Sequence, residues 1–278
     1  MKRILFYSSV NSLELFKTQK FYQIDISILK DLGYDVLLSN RIFDSLLFWK
    51  YDILFSYFYR YSFFAALLAK CFGKKTYFTG GIDSLDSDYA SAFNYKIQAL
   101  FFKLCYWVAD SCIIVSQSDL KNIFKVSSLK KKLSYSEHVI NTKLFIADVP
   151  KEKIFTSIVW MGDEGNVVRK GVDKALQIFA ELKKIPEFVD YRFVIIGRKG
   201  EGEVLVRSII DKYNLKGSVE LKGEVSEEDK INLLKQSKYY FQLSLYEGFG
   251  LAALEALCAN NIIIHSGTVS YTHLTLPT

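Results

Sequence analysis

The sequence predicts an α/β protein made of two Rossmann-like halves, each on a parallel sheet, and three observations lead there. Short apolar runs alternate with longer amphipathic segments along nearly the whole chain, which is the pattern of βαβ units. That alternation breaks over residues 126–150 and then starts afresh. Finally, a chain of 278 residues, half of them hydrophobic, carries enough apolar surface for two cores.

In the first half the predicted strands are Arg3–Val10, Tyr34–Ser39, Asp52–Ser56, Lys75–Thr79 and Ser111–Val115. Helices are predicted over Thr18–Leu32, closed by Gly33, and over Asp86–Ala109. After the break, strands are predicted at Phe155–Met161, Tyr191–Ile196, Ser218–Leu221, Tyr239–Leu243 and Ile262–His265. Their helices fall near Val172–Lys184, Glu203–Tyr213, Glu227–Gln236 and Phe249–Ala259, with Ser226 and Asp229 forming a capping-box start to the third. The expected division is therefore residues 1–150 and residues 151–278. A doubly wound domain should not end on a bare strand. The second half thus reads as truncated, with a threonine-rich tail of about 269–278 foreign to the fold.

Composition narrows the function classes. The four cysteines form no CxxC pair and sit in apolar segments, as reduced core thiols do. The N-terminal MKRILFYSSV is too short in its apolar run for a signal peptide, and Arg60 interrupts the apolar stretch Ile53–Ala69, so no membrane-spanning helix is predicted. A cytoplasmic location follows as an expectation. The net charge of +6 is uneven: residues 1–148 hold 19 Lys and Arg against 13 Asp and Glu, together with 30 of the 43 aromatic residues. A basic, aromatic half suits an anionic, amphipathic surface such as the inner face of a membrane. The plainer alternative is core aromatics and solvated lysines. It is favoured because no basic run exceeds Lys130-Lys131-Lys132. No nucleic-acid partner is expected.

The segment that carries chemistry is Ser244 to Leu257, SLYEGFGLAALEAL. A strand runs into a short loop and a helix opens at Gly248 or just after. Glycines there permit close backbone approach, and the first-turn N–H groups make an anion site. Glu247 precedes that turn and Glu255 follows eight residues later, a rise of ~12 Å along a helix. Glycosidase carboxylate pairs sit no more than ~9.5 Å apart, so this spacing excludes acid/base work on one bond. It suits a grip on the two ends of one extended ligand, with phosphates between. The bland alternative is an amphipathic helix with two solvated glutamates.

E-x7-E after a strand, with G-F-G-L between, resembles the retaining GT-B glycosyltransferases of family 4 (glycosyl transferases group 1). The resemblance implies that Glu247 contacts the donor sugar, Glu255 the ribose, and the backbone of Gly248, Phe249, Gly250 and Leu251 the diphosphate. Phe155–Met161 followed by RKGVDKAL, Arg169 to Leu176, resembles the family's Lys-Gly helix start, which makes Lys170 the diphosphate-binding lysine. The family's arginine normally lies about five residues earlier, after a glycine. Here Asp163 follows Gly162, and Arg169 is the candidate substitute. VIIGRKGEG, Val194 to Gly202, resembles the family's strand-to-loop segment near the nucleotide and brings in Gly197. Its GxxGxG spacing is not the GxGxxG of dinucleotide folds, which counts against an oxidoreductase.

The first half matches less well. Tyr7-Ser8-Ser9-Val10-Asn11-Ser12 occupies the place of a glycine-rich loop, and Thr79-Gly80-Gly81-Ile82-Asp83 lacks the family's histidine. His138 lies in a segment resembling the interdomain I-x-N-G-V-D, with Asn141 retained, and a linker role suits it. No His/Cys/Asp spacing suggests a metal. The resemblance implies a hexosyltransferase acting with retention, without metal or cofactor, on a nucleotide-sugar donor and a glycan or lipid-linked acceptor. Glu247 and Lys170 would be its catalytic residues. A non-catalytic scaffold with a decayed site is the alternative.

Overall fold

The computed structural model describes residues 1–87, 90–128, 130–146 and 149–267. The chain divides into two units, Met1–Val139 and Ile140–Thr278. This boundary lies ahead of the residue 150 expected from sequence, because Ile140 and Phe145 pack with Leu234, Tyr240 and Ala253 of the second unit. The tail from 268 on, His273 included, lies outside the described residues.

The first unit holds β1 (Arg3–Ser8), β2 (Asp35–Ser39), β3 (Ile53–Tyr57), β4 (Lys75–Thr79), β5 (Ser111–Ile114) and β6 (Leu133–Tyr135). They form one sheet in the order β2-β1-β3-β4-β5-β6, with every pairing parallel. Five of these strands stand where the apolar runs predicted them, shifted by a residue or two at the ends. β6 was not predicted: it is three residues long, partly or fully exposed, and shows no alternation to read. The apolar stretch Ile53–Ala69 resolves into β3 and the helix Ser62–Cys71, divided around Arg60. The helix Lys20–Asp31 ends as Gly33 implied: Gly33 takes φ +82°, and the N–H groups of Gly33 and Tyr34 donate to Lys30 and Leu29 carbonyls.

Apolar side chains cover both faces of this sheet. Leu5, Leu54, Phe78, Phe102 and Cys112 fill one core, and Ile4, Phe6, Phe16, Tyr22 and Tyr57 the other. Much of the aromatic excess is therefore core, as in the stacked pair Phe6–Phe55 with centroids 5.5 Å apart. Cys105 and Cys112 are buried as expected. Cys71 is exposed, because it ends its helix at the surface.

The second unit holds β7 (Glu152–Ile158), β8 (Arg192–Ile196), β9 (Val219–Gly223), β10 (Ser237–Gln242) and β11 (Ile262–His265), in the order β11-β10-β7-β8-β9. All pairings are again parallel. The chain moves outward from β7 through β8 to β9, then crosses to the other side of β7 for β10. The carboxyl ends of β7 and β10 therefore flank a topological switch point, where ligands bind in open α/β sheets. Phe155 on β7 fixes this junction, stacking on Tyr239 at 4.7 Å and on Phe241 at 4.9 Å across to β10. Such pairs contribute ~0.5–1.5 kcal/mol each beyond burial.

Candidate functional site

Two loops meet at the switch point. One leads from β7 through the short helix Glu164–Arg169 to the helix Val172–Leu182; the other leads from β10 to the helix Leu251–Cys258. They are joined by backbone. The Leu245 N–H donates to the Arg169 carbonyl at 2.8 Å. Gly171 sits in the left-handed region at φ +67°, and a Cβ there would lie 2.0 Å from the Leu243 carbonyl oxygen. Only glycine lets the chain turn and approach so closely. The Lys-Gly pair is thus a device for setting Lys170 against the β10 loop.

Lys170 reaches Glu247 there. Its Nζ donates to Glu247 Oε2 at 2.6 Å, across 77 residues of sequence. The same oxygen accepts from Gln242 Nε2 at 3.1 Å and Ser244 Oγ at 3.3 Å. The Gln242 amide also donates to Ser244 Oγ, and Ser266 Oγ donates to the Ser244 carbonyl. The glutamate is therefore clamped through one oxygen, with the ion pair largely buried. Charge-assisted bonds of this length are the strong ones.

The helix opens later than the sequence suggested, at Leu251, with Gly250 as its N-cap at φ +81° and no side chain capping it. Its first N–H groups have no partner four residues back, and no side chain caps them, an arrangement that suits an anion. Gly248 and Phe249 lie in the loop between Glu247 and that turn. Glu255 is not solvated: it is only 3% exposed. Its Oε2 accepts from Lys230 Nζ at 2.7 Å. Lys230 belongs to the helix Glu227–Gln236, whose start is capped by Ser226 Oγ accepting from the Asp229 N–H, and it also pairs with Glu227 at 3.1 Å.

Three of these side chains carried no sequence signal of their own. In sequence Lys230 is one lysine of an acidic helix, and Gln242 one more strand residue. Tyr240 is buried on β10, where its hydroxyl accepts from the Ile158 N–H at 3.2 Å. Burial raises its pKa, the Ile158 bond lowers it, and the nearby charges of Glu247 and Glu255 raise it further. One buried phenol thus feels both glutamates.

The remaining expectations divide. Arg169 Nη2 donates to Asn166 Oδ1 at 2.6 Å, one turn back along its own helix. Asp163 accepts from the Asn166 N–H at 2.6 Å and so caps that helix. Gly197 takes φ +132°, and a Cβ there would lie 2.0 Å from the Val159 carbonyl oxygen. Gly200 and Gly202 likewise lie against the backbone of Met161, Gly162 and Asp163. The loop after β8 packs down on the loop after β7, and its glycines are required for that contact. In the first unit, Ser8 Oγ is bonded to the Tyr22 hydroxyl at 2.7 Å. Gly80, at φ +103°, is packed against Tyr57 and Phe58. His138 lines a cavity of about 270 Å³ with Asp25, Phe55 and Thr79. Burial pushes its pKa down to about 4. Among the described residues, no group of three or more His, Cys, Asp or Glu side chains is placed to hold a metal ion.

Residues 165–273 match the model of the family described as Glycosyl transferases group 1. A GDP-mannose:cellobiosyl-diphosphopolyprenol alpha-mannosyltransferase of Xanthomonas oryzae pv. oryzae is 34% identical over 109 residues, or 38% of this chain. Its counterpart of the same name in Xanthomonas campestris is 32% identical over 109 residues, again 38% of this chain. The matches span only 28% of each relative's own length. Among solved structures, Anabaena HepE in complex with UDP and glucose has a TM-score of 0.74, covering 100% of this chain and 84% of that one at 12% identity. Sucrose-phosphate synthase from Thermosynechococcus elongatus has a TM-score of 0.71 at 15% identity, covering 98% of this chain and 82% of that one. At such identities the likeness is one of fold. The shared architecture is the GT-B fold, and residues 165–273, within the second unit, carry the sequence pattern of glycosyl transferases group 1.

Proposed function

We propose that the protein transfers a sugar from a nucleotide-diphosphate donor to a glycan or lipid-linked acceptor, with retention and without a metal. The observation that carries this reading is the Lys170–Glu247 pair at 2.6 Å, held at the switch point beside the helix that opens at Leu251. A cation, a carboxylate and free helix N–H groups at one sheet edge match the parts of a nucleotide-sugar: phosphates, sugar hydroxyls and ribose. The solved Anabaena neighbour holds UDP and glucose, and the Xanthomonas relatives are named for a GDP-mannose donor and a diphosphopolyprenol acceptor; both support the reading.

In this reading Lys170, Arg169 and the N–H groups from Gly248 to Leu251 hold the diphosphate. Gly197 lines the nucleotide side, and Glu255, steadied by Lys230, takes the ribose. Glu247 takes a sugar hydroxyl through Oε1, since the bonds that clamp it fall on Oε2. The bond between the anomeric carbon and the phosphate oxygen breaks, and charge gathers on the leaving phosphate. Preorganised donors are worth most at that point. The acceptor oxygen bonds to the anomeric carbon, and its proton passes to the departing phosphate. A cytoplasmic location goes with this reading.

Thermal unfolding of the full chain with UDP-, GDP- and ADP-sugars tests it. One donor class should raise the transition, and Glu255→Ala should abolish the rise. No stabilisation by any donor would favour the scaffold alternative. Stabilisation that survives Glu255→Ala would remove the ribose assignment.

A further inference from the structure

The helix Ala92–Val108 of the first unit has two faces of different character. Gln98, Phe102, Cys105 and Tyr106 are buried against the sheet. The opposite face carries Phe93, Lys96, Leu100, Lys103 and Trp107 at spacings of three and four, within about an 80° arc. A solvent face is ordinarily polar. Here Phe93 is 72% exposed, Leu100 56% and Trp107 69%. The helix contains no Asp or Glu.

The surroundings extend the pattern. Exposed Tyr61 and Phe64 adjoin the helix through Phe101, with ring centroids 6.4 and 6.2 Å apart. At the C-terminal end, Lys132 Nζ donates to the carbonyls of Tyr106 and Trp107 at 3.1 and 3.0 Å. Lys132 therefore stands at the end of the helix beside Trp107, where a helix C-terminus favours positive charge, and Lys130, two residues before it, lies over the Phe124 ring at 4.7 Å. Asp110, just past the helix, is occupied by Lys70 at 2.9 Å and by the Thr76 N–H. The result is a strip about 25 Å long of large apolar groups set among lysines.

We infer that this face docks on the surface of an anionic lipid bilayer. Phe, Leu and Trp side chains would enter the headgroup boundary, while lysines beside them meet lipid phosphates. The absence of acidic residues from the helix is the charge complementarity that selects anionic lipid. The helix lies on the surface and does not span: among the described residues no helix is long and apolar enough to cross a membrane. This inference is independent of the donor site and stands whether or not that site turns over.

The test is flotation of the full chain with vesicles of phosphatidylcholine, alone or with a third of the lipid as phosphatidylglycerol. Binding is expected only with the anionic lipid and should weaken at high salt. Lys96→Glu/Lys103→Glu should lower partitioning at least about thirty-fold, since each basic residue near such a surface contributes ~1 kcal/mol. Trp49→Phe/Trp160→Phe leaves Trp107 as the only tryptophan, and its emission should shift to the blue on anionic vesicles. Leu100→Ser/Trp107→Ser should lose binding while keeping the wild-type thermal transition. Binding that ignores these substitutions, or leaves Trp107 emission unmoved, would overturn the proposal. So would self-association that Trp107→Ser abolishes without any vesicle binding, which would make the face a contact between copies.

Discussion

Lys170 and Glu247 lie 77 residues apart in sequence and 2.6 Å apart in space. The contact depends on the crossover that places β10 beside β7, and on Gly171, whose missing side chain lets one loop close on the other. The cation and the carboxylate neutralise each other, and the bonds to Glu247 from Lys170, Gln242 and Ser244 fall on Oε2. In the proposed function Lys170 therefore meets a phosphate while Glu247 meets the sugar through its other oxygen.

Exchanging the two charges separates stability from binding. Lys170→Ala should cost ~1–2 kcal/mol of stability, below the range for fully buried pairs because both groups retain some solvent. The double variant Lys170→Glu/Glu247→Lys should recover much of that in urea unfolding. It should still show no thermal shift with any nucleotide-sugar, because the cation would stand on the wrong loop. A shift equal to wild type would remove Lys170 and Glu247 from the donor site.

The Lys230–Glu255 pair is more deeply buried, and its two ends should respond differently. Lys230→Met leaves a carboxylate in a low-dielectric site without its cation, at a cost of ~3 kcal/mol. Glu255→Gln keeps the volume and an acceptor for Lys230, while Glu227 still neutralises the lysine at 3.1 Å; its cost should be ~1 kcal/mol. Urea titrations of both variants check the order. Equal costs would show that the buried charge is not what the pair stabilises.

Most of the fold was legible because buried parallel strands leave apolar runs and their helices leave 3.6-residue patterns. The Ser244–Leu257 segment was legible because glycine, carboxylate and helix lie close in sequence. What depended on long-range packing was not. Lys230 meets Glu255 across 25 residues of sequence, and nothing local marks it. The unit boundary moved because Ile140 and Phe145 follow the second core, which only the packing reveals. The glycines of VIIGRKGEG read equally as ligand loop or structural turn, and the close backbone contacts with Val159 and Met161 supply the structural reason.

Two glycines that share a left-handed φ should differ sharply on substitution. Gly171 and Gly217 have φ of +67° and +83°, but a Cβ at Gly217 meets nothing within 4 Å. Gly217→Ala should cost only the left-handed strain, ~1–2 kcal/mol. Gly171→Ala adds a collision with the Leu243 carbonyl and should cost several kcal/mol, with the thermal transition of the second unit falling accordingly. Similar transitions for the two variants would show that the loop moves away freely, and that Lys170 is not held by this contact.

The first unit offers a titration with a definite sign. Burial holds the His138 pKa at about 4 against the ordinary 6.5, so the folded state resists protonation where the unfolded chain accepts it. The stabilisation is complete above about pH 6.5 and is lost as the pH falls toward about 4, by at most ~1.4 kcal/mol per pH unit. Asp25 lines the same cavity and works in the opposite sense. Burial raises its carboxyl pKa, partly offset by the bond from the Tyr57 hydroxyl, so protonation favours the folded state at the acid end. The difference between wild type and His138→Asn isolates the histidine. The variant's stability should fall less steeply between pH 6.5 and 4.5, while the two curves run parallel above pH 7. Parallel curves throughout would place His138 in water.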